Sequence, residues 1–334
     1  SGYQLGIVDG NHLAGTEHRL KELRRLGAAA LPGHALAVLN PQTMLIEDVL
    51  PCEDGHANER VLLPELLTLV QPGQCWVADR NFCTLDLLFG IAGRQSHFIF
   101  RQHGSLVGTL LGRRRKLGRC ETGTAYEQAL EVRKGDGRTL RLRRVTVVLD
   151  EPTRDGDTEI HLVTNLPDAI GGLKIAEVYR DRWNLETAFQ HLATALRSEV
   201  NTLGYPDAAL FGFSIGVMLY NILSTIRAAL QVAHRLSGET RTVSMYYLAE
   251  EIAGVYRGMM IAVPAEHWTT QFGPLTSSQL ARQLLQLAKK VNIGHYLTNP
   301  YSPKRPPPKR VSGQRGNHVS TQRILDKRLA AEQN

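Results

Sequence analysis

The order of strand-like and helix-like segments in the first hundred residues restricts the fold more than any other feature. Tyr3–Val8 alternates as a strand, and Ala35–Leu39 and Met44–Leu50 flank the turn signal Asn40-Pro41 as a hairpin. The later segments are a helix over Asn58–Val70, a strand over Cys75–Ala78, a helix over Leu85–Ala92 and a strand over His97–Phe100. This order, β, β-β, α, β, α, β, predicts an α/β fold with a mixed sheet and flanking helices.

The chain changes character after residue 100. Residues 101–149 contain 12 basic and 4 acidic residues, and glycine turns separate short apolar segments. We predict strands over Ala129–Val132, Leu140–Arg144, Val145–Leu149 and His161–Asn165. The sequence therefore predicts a β-rich basic insertion over residues 101–165, placed between the first part of the fold, residues 1–100, and a helical remainder, residues 166–300.

The remainder of the chain is helical and then basic. Predicted helices cover Lys174–Leu196, Asp207–Leu236, Val243–Tyr256 and Ser277–Lys290. A tail over residues 301–334 has 8 basic and 2 acidic residues around a proline run, and we expect it to lack a packed fold. Because the chain starts with Ser1 and a strand follows almost at once, we also expect that an N-terminal region is missing.

The positive charge is concentrated in two segments. The whole chain carries a net charge of +7, the stretch 101–149 carries +8 and the tail 301–334 carries +6, so the remainder is net acidic at −7. Hydrophobic residues at 43% and charged residues at 21% exclude a wholly disordered or coiled-coil chain. The segregated charge favours a nucleic-acid partner, with binding that weakens as salt is added.

Cysteine spacing and one apolar run bear on location. The four cysteines form no CxxC pair, which argues against a zinc knuckle and fits a reducing cytosol. The uncharged run Ala208–Ile226 is long enough to cross a membrane, but it contains Ser214, Asn221 and Ser224. We therefore interpret this run as a buried core helix, and we expect a cytoplasmic protein that does not enter a membrane.

Two aspartates follow predicted strands. Asp9 comes at the end of the first strand, and Asp79 comes at the end of the strand Cys75–Ala78. If these strands are neighbours, the two carboxylates converge, and hard oxygen ligands of this kind suit Mg²⁺ or Mn²⁺. Each aspartate also has an ordinary explanation, because Asp9-Gly10 is a common turn and Asp79-Arg80 could be a surface ion pair.

A third group of polar residues lies in the predicted helix Lys174–Leu196. Tyr179, Arg182 and Glu186 have the spacing i, i+3 and i+7, which places them on one face of a continuous helix. Arginine binds phosphate through two parallel hydrogen bonds, and glutamate could complete a metal site. The alternative is a solvated stripe with an Arg182–Glu186 ion pair, while Trp183 between them is interpreted as packing on the sheet or stacking on a base.

Together the three stretches resemble the DDE-type transposases of bacterial insertion sequences, in the group marked by Tyr-x2-Arg-x3-Glu-x6-Lys. The matching stretches are Ile7–Gly10, Val77–Phe82 and Tyr179–Glu186, and the resemblance spans about residues 3–230. One position departs from the family pattern, because Ala193 stands where the family has lysine; Arg197, one turn later, is a candidate substitute.

The resemblance implies an RNase H-like fold interrupted by the β-rich insertion. It implies that Asp9, Asp79 and Glu186 are catalytic and bind two Mg²⁺ ions, with Mn²⁺ able to substitute, and that Tyr179 and Arg182 hold a DNA phosphate. The implied reaction is cleavage of a DNA strand at the transposon end and transfer of that strand into target DNA. The implied partners are transposon-end and target DNA and a second copy in a synaptic dimer, in a nucleoid-associated cytoplasmic location.

Three points stay open on the sequence. The basic cluster Arg113, Arg114, Arg115 and Lys116 could contact the DNA backbone, or it could be a solvated loop. An RNase H-like nuclease that cuts without joining would carry the same carboxylates. A DNA-binding relic of a transposase with impaired catalysis is the other alternative, and Ala193 is the residue that favours it.

Overall fold

The computed structural model describes residues 2–13, 34–52, 58–153, 156–196, 206–236 and 242–298. By its internal contacts the chain divides into residues 1–298 and residues 299–334. The predicted tail 301–334 and the candidate substitute Arg197 lie outside the described residues. The architecture below therefore concerns the first unit alone.

Nine strands form one mixed sheet in the order β3-β2-β1-β4-β5-β9-β8-β7-β6. β1 is antiparallel to β2 and parallel to β4, and β4 is parallel to β5. The first five strands in this order form an RNase H-like arrangement, so the predicted fold class is confirmed. The strands are β1 (Gln4–His12), β2 (His34–Asn40), β3 (Leu45–Cys52), β4 (Gln74–Ala78), β5 (His97–Arg101), β6 (Gly108–Cys120), β7 (Gly123–Arg133), β8 (Thr139–Leu149) and β9 (Glu159–Thr164).

Helices lie on both faces of the sheet. Short 3-10 helices at Glu59–Leu62 and Arg80–Phe82 follow β3 and β4, and a third covers Ile293–His295. The α-helices are α1 (Leu63–Leu69), α2 (Leu85–Gly93), α3 (Gly172–Arg180), α4 (Trp183–Thr194), α5 (Pro206–Ala233), α6 (Met245–Ala262), α7 (Ala265–Phe272) and α8 (Ser277–Ala288).

The period-two alternation of the strands separates two hydrophobic cores. Ile7 and Val77 face one core, which also contains residues of α3, α4 and α5. Their neighbours Val8 and Ala78 face the opposite core, which contains residues of α1 and α2. Every residue of β2 is buried, as expected for a central strand covered on both faces. The central strands β1 and β4 are therefore covered by helices on both faces of the sheet.

The strands of the predicted insertion extend the main sheet. β9 pairs with β5, and β8, β7 and β6 follow by antiparallel pairing. The predicted break between Leu140–Arg144 and Val145–Leu149 is wrong, because no turn residue separates these segments and they form the single strand β8. The basic cluster lies within β6, where the register shifts between Leu111 and Arg115, and the interpretation of the cluster as a loop is wrong.

The predicted helix Lys174–Leu196 is divided into α3 and α4. At the break, the Asp181 N–H bonds to the Val178 carbonyl and the Arg182 N–H bonds to the Tyr179 carbonyl, so the chain tightens into i→i+3 turns. The expectation of one continuous helix is therefore wrong, although Tyr179, Arg182 and Glu186 remain close together.

The uncharged run belongs to α5, and one side of this helix packs on the sheet. Phe213 and Tyr220 are fully buried in the core. The Asn221 side chain accepts a hydrogen bond from the Ile46 N–H at 2.9 Å and donates one to the Ile46 carbonyl at 2.8 Å, so it satisfies the backbone of the edge strand β3. The segment Asp207–Ala233 is long and apolar enough to cross a membrane by length and composition, and 39% of its most apolar window is buried in the protein.

Replacing Asn221 with alanine tests this connection between α5 and the sheet edge. Because Ile46 is buried, both of its backbone groups lose their partner, and we expect the free energy of unfolding to fall by about 2 kcal/mol. Chemical denaturation monitored by circular dichroism measures the change. The control Ser214→Ala removes an exposed hydroxyl of the same helix and should change stability by less than ~0.5 kcal/mol; equal effects of the two variants would contradict the assignment.

Candidate active site

The two predicted aspartates lie side by side on neighbouring parallel strands. Val8 of β1 pairs with Ala78 of β4, so Asp9 and Asp79 occupy the next positions on two strands about 4.8 Å apart. Asp79 follows the last residue of β4, as predicted. The expectation that Asp9 ends its strand is wrong, because β1 continues beside β2 as far as His12. Asp79 lies beside Asp9 because it follows Ala78, the residue that pairs with Val8. Asp9 does not have to end its own strand for the two carboxylates to be neighbours.

One guanidinium connects two of the predicted carboxylates. Arg182 Nη1 donates to Asp9 Oδ2 at 2.6 Å, and Arg182 Nη2 lies 2.7 Å from Glu186 Oε1. Arg182 is nearly buried, whereas the Glu186 side chain is 52% exposed. Burial alone would lower the pKa of Arg182, but the neighbouring Tyr179 and Asp9 outweigh burial and raise it. The structure therefore contains the Arg182–Glu186 pair considered as an alternative, and it adds Asp9 to that pair.

The Asp9 carboxyl is in an environment that disfavours its charge. Burial raises the pKa of Asp9 to about 6, while Arg182 and the Gly10 N–H act in the opposite direction. The Gly10 N–H donates to Asp9 Oδ1 at 2.9 Å. The nearby negative charges of Glu186 and Glu59 raise the pKa of Asp9 further. An additional positive charge beside this buried carboxyl would stabilise its ionised form.

Asp79 has a buried oxygen without a hydrogen-bond partner. Its Oδ1 atom receives no hydrogen bond from any described residue. Asp79 also precedes the 3-10 helix Arg80–Phe82, but its side chain does not cap that helix. Burial raises the pKa of the Tyr179 hydroxyl, and the negative charge of Asp79 raises it further. Tyr179, at the end of α3, is thus placed beside the second carboxylate.

Glu59 is a residue of this site that sequence reasoning missed. It starts the 3-10 helix after β3, and its Oε2 accepts a hydrogen bond from Asn81 Nδ2 at 2.6 Å. A Cβ on Gly10 would meet Glu59 Oε1 at 2.0 Å, so Gly10 leaves the space that the Glu59 carboxylate occupies. Gly10 therefore marks a close approach within a strand and not a turn, and a side chain at this position would displace the Glu59 carboxylate. No spacing in the sequence relates Glu59 to Asp9, and only the packing of the 3-10 helix against β1 brings them together.

The strands of the insertion support the helix that carries Tyr179. α3 packs against β6, β7 and β8, and a Cβ on Gly172 would meet the side chain of Leu117 at 2.4 Å. Arg143 of β8 bonds to Glu127 and to three carbonyl groups of the loop that leads into α3. At least one basic residue of the insertion, Arg143, is therefore partly buried and structural.

The predicted basic cluster lies on the edge strand β6 and is exposed. Two of its members already bind acidic residues of the same sheet: Arg115 lies 2.6 Å from Glu127 of β7, and Arg114 lies 3.3 Å from Glu159 of β9. Arg113 and Lys116 form no ion pair with the described residues. Trp183 at the start of α4 is 64% exposed, so the interpretation that it packs on the sheet is wrong.

The three predicted carboxylates are not gathered into one cluster. Within the described ranges, no group of three or more His, Cys, Asp or Glu side chains is close enough to hold a metal ion. The pair formed by Asp9 and Asp79 does fit a divalent ion, because both are hard oxygen donors and Asp79 Oδ1 is buried without a partner. Glu186 pairs with Arg182, and Ala193 lies about two turns further along α4.

The sheet order β3-β2-β1-β4-β5, with paired carboxylates at its centre, defines a protein of the RNase H-like class. The family model of the transposase DDE domain matches residues 1–222, and the chain belongs to this family. A search of curated proteins finds no match. The family acts on DNA and generally uses divalent metal ions, so DNA is the partner that family membership implies.

Titration of Asp9 tests the electrostatics of the site. Because Arg182 lowers the pKa of Asp9, Arg182→Gln should move its midpoint above 6, as followed by NMR of the carboxyl carbon. The pKa of Asp9 in the folded protein lies above the ordinary aspartate value, so the folded state binds this proton more tightly than the unfolded state. The contribution of Asp9 to the free energy of unfolding is therefore fully present below about pH 4 and is lost as the pH rises through 6. The control Arg180→Gln removes a guanidinium that pairs with Glu121 and should leave the midpoint unchanged. An unchanged midpoint in Arg182→Gln would contradict the assigned contact.

Proposed function

We propose that the protein is a DNA transposase that cleaves a DNA strand at transposon ends and transfers that strand into target DNA, with a divalent metal ion. The observation that carries this proposal is the adjacency of Asp9 and Asp79 at the centre of an RNase H-like sheet, with one buried Asp79 oxygen lacking a partner. Membership of the transposase DDE family supplies the reaction class.

Asp9 and Asp79 are the residues that would hold the metal ion, and Glu186 is the third carboxylate. When bound, the ion supplies charge stabilisation for attack at phosphorus. We propose Mg²⁺, with Mn²⁺ able to substitute, because the donors are carboxylate oxygens. The raised pKa of Asp9 favours the same assignment, since a nearby positive charge offsets the cost of ionising a buried carboxyl.

Arg182 and Tyr179 would position the DNA backbone. The guanidinium is held against Asp9 and Glu186 in this structure, and it presents the donor geometry that suits a phosphate oxygen. We propose that Arg182 contacts a phosphate near the cut when DNA is bound, with the Tyr179 hydroxyl beside it. The exposed Trp183 is placed to stack on an unpaired base next to that phosphate.

The exposed strand β6 would contact the DNA backbone at a distance from the cut. Arg113 and Lys116 are its best candidates, because they form no ion pair with described residues, whereas Arg114 and Arg115 already bind acidic partners. The basic tail 301–334 would add a second cationic segment. We further propose that synapsis of the two transposon ends involves a homodimer, in the nucleoid-associated part of the cytoplasm.

Replacing Asp79 with asparagine tests the proposed catalytic role. We expect DNA cleavage with Mg²⁺ to fall by at least about 100-fold while DNA affinity is retained, because the change removes one charge and no volume. The control Asp86→Asn removes an exposed carboxylate of α2 and should leave cleavage unchanged. Cleavage that survives Asp79→Asn would exclude Asp79 from the metal site.

Two further readouts separate the proposal from its alternatives. Strand transfer is measured with a precut DNA end that carries a 3′-hydroxyl; cleavage without joining would identify a nuclease, and DNA binding without either reaction would identify a catalytically impaired relic. Mg²⁺ should also lower the NMR titration midpoint of Asp9, and Asp79→Asn should reduce that shift. An unchanged midpoint would contradict metal binding at this pair independently of any activity.

Salt dependence tests the role of β6. The double variant Arg113→Ala, Lys116→Ala should weaken DNA binding and reduce the slope of log affinity against log salt by about 1 to 2, as measured by fluorescence anisotropy. The matched pair Arg114→Ala, Arg115→Ala should change the slope less, because these residues are already neutralised by Glu159 and Glu127. Equal slopes for the wild type and the first double variant would exclude β6 from the DNA interface.

A further inference from the structure

Asp79 lies just beyond the part of β4 that is held by sheet pairing. Ala78 is the last residue of β4 that pairs with β1 and with β5. The side chain of Asp79 does not cap the 3-10 helix Arg80–Phe82 that follows it. The position of its carboxylate relative to Asp9 therefore depends on what holds this short helix in place.

The 3-10 helix after β4 is held through Asn81 by two adjacent residues, and these three residues are here called the Asn81 clamp. Glu59 Oε2 accepts a hydrogen bond from Asn81 Nδ2 at 2.6 Å, and Arg60 Nε donates one to the Asn81 carbonyl at 2.8 Å. Both the side chain and the backbone of Asn81 are thus bound, two residues after Asp79. Because Glu59 and Arg60 are charged, each of these hydrogen bonds is stronger than a bond between neutral groups.

The residues that bind Asn81 belong to a packed part of the molecule. Glu59 and Arg60 begin the 3-10 helix that leads into α1. Leu62 and Phe82, one from each of the two 3-10 helices, are buried in the same hydrophobic core. The clamp therefore connects the end of β4 to a segment that is itself anchored in the core.

Glu59 also contacts the strand that carries the other aspartate. Its Oε1 atom lies against Gly10, the residue after Asp9 in β1. One side chain therefore touches a neighbour of each aspartate. Glu59 is not a third ligand, since no three acidic, histidine or cysteine side chains in the part of the chain that the structure describes lie close enough together to hold a metal ion. Any effect of Glu59 on a bound metal ion is therefore indirect.

We propose that Glu59 is a positioning residue of the metal site, which acts through Asn81 to fix the end of β4 and so keep Asp79 beside Asp9. This proposal rests on the proposed metal-binding role of the two aspartates. Removal of a residue that orients metal ligands typically lowers metal affinity by roughly 10–100-fold. Because Glu59 acts on the backbone that follows Asp79 and not on the carboxylate itself, we expect a loss at the lower end of this range.

Binding of Mn²⁺ to the full chain without DNA, followed by electron paramagnetic resonance of the free ion, tests the proposal. We expect Glu59→Ala and Asn81→Ala each to raise the Kd for Mn²⁺ by about 10-fold. The double variant should lose no more affinity than either single variant, because both changes remove the same contact.

Two further variants serve as controls for charge and for the loss of a carboxylate. Glu59→Gln keeps an oxygen that accepts the Asn81 hydrogen bond and loses only a partly screened charge, so its Kd should stay within about 3-fold of the wild-type value. Glu65→Ala removes an exposed carboxylate of α1 and should bind Mn²⁺ like the wild type.

Other outcomes overturn the positioning role. An unchanged Kd in Glu59→Ala or in Asn81→Ala would show that the clamp does not position Asp79, even if circular dichroism shows a lower melting temperature. Additive losses in the double variant would show that the two residues act separately. A Kd for Glu59→Gln as weak as that for Glu59→Ala would assign the effect to charge. If Glu59→Ala does not fold, Asn81→Ala and Glu59→Gln carry the test.

The same measurement distinguishes failure of this proposal from failure of the proposed function. A wild type that does not bind Mn²⁺, or an Asp79→Asn variant that binds it as well as the wild type, would overturn the metal site itself. Wild-type binding that is weakened by Asp79→Asn and unaffected by Glu59→Ala would overturn the positioning role alone.

Discussion

The parallel pairing of β1 with β4 is the constraint on which the rest of the site depends. It places Asp9 beside Asp79 and turns Ile7 and Val8 toward opposite cores, so that helices must cover both faces of the sheet. A shift of one residue in this register would exchange the two faces and bury the carboxylates in a hydrophobic core. The packing that stabilises the centre of the molecule is therefore the same packing that brings the two carboxylates together.

Arg182 shows how the protein accommodates negative charge in that central position. One guanidinium, placed by the break between α3 and α4, contacts Asp9 and Glu186. It stabilises carboxylates that would otherwise repel each other in a partly buried environment, and it can also bind phosphate. Within the described residues, no third acidic, histidine or cysteine side chain joins Asp9 and Asp79 closely enough to hold a metal ion with them.

The sequence predicts those features that follow from local pattern. Alternating apolar residues and turn signals predict an α/β fold with a mixed sheet, and the resemblance carried by the three motif stretches implies the RNase H-like fold and the roles of Asp9, Asp79 and Glu186. The break after Arg180 was not predicted, since helical spacing continues through it and tertiary contacts of Arg182 accompany it. Glu59 was also missed, because its approach to Gly10 results from packing between segments that are distant in the chain. For the basic cluster, the sequence leaves open a solvated loop or a DNA contact, and the loop is excluded because the cluster lies in a strand with cross-strand pairs such as Arg115 with Glu127.

The contact between Gly10 and Glu59 has a consequence for how such sequences can vary. The space that would hold a side chain at position 10 is filled by the carboxylate of residue 59, so a side chain at position 10 would displace that carboxylate. A relative with alanine or serine at position 10 would need a shorter or differently directed side chain at position 59. A side chain at position 10 would therefore also move the negative charge of Glu59 relative to Asp9, although 48 residues separate positions 10 and 59 in the chain.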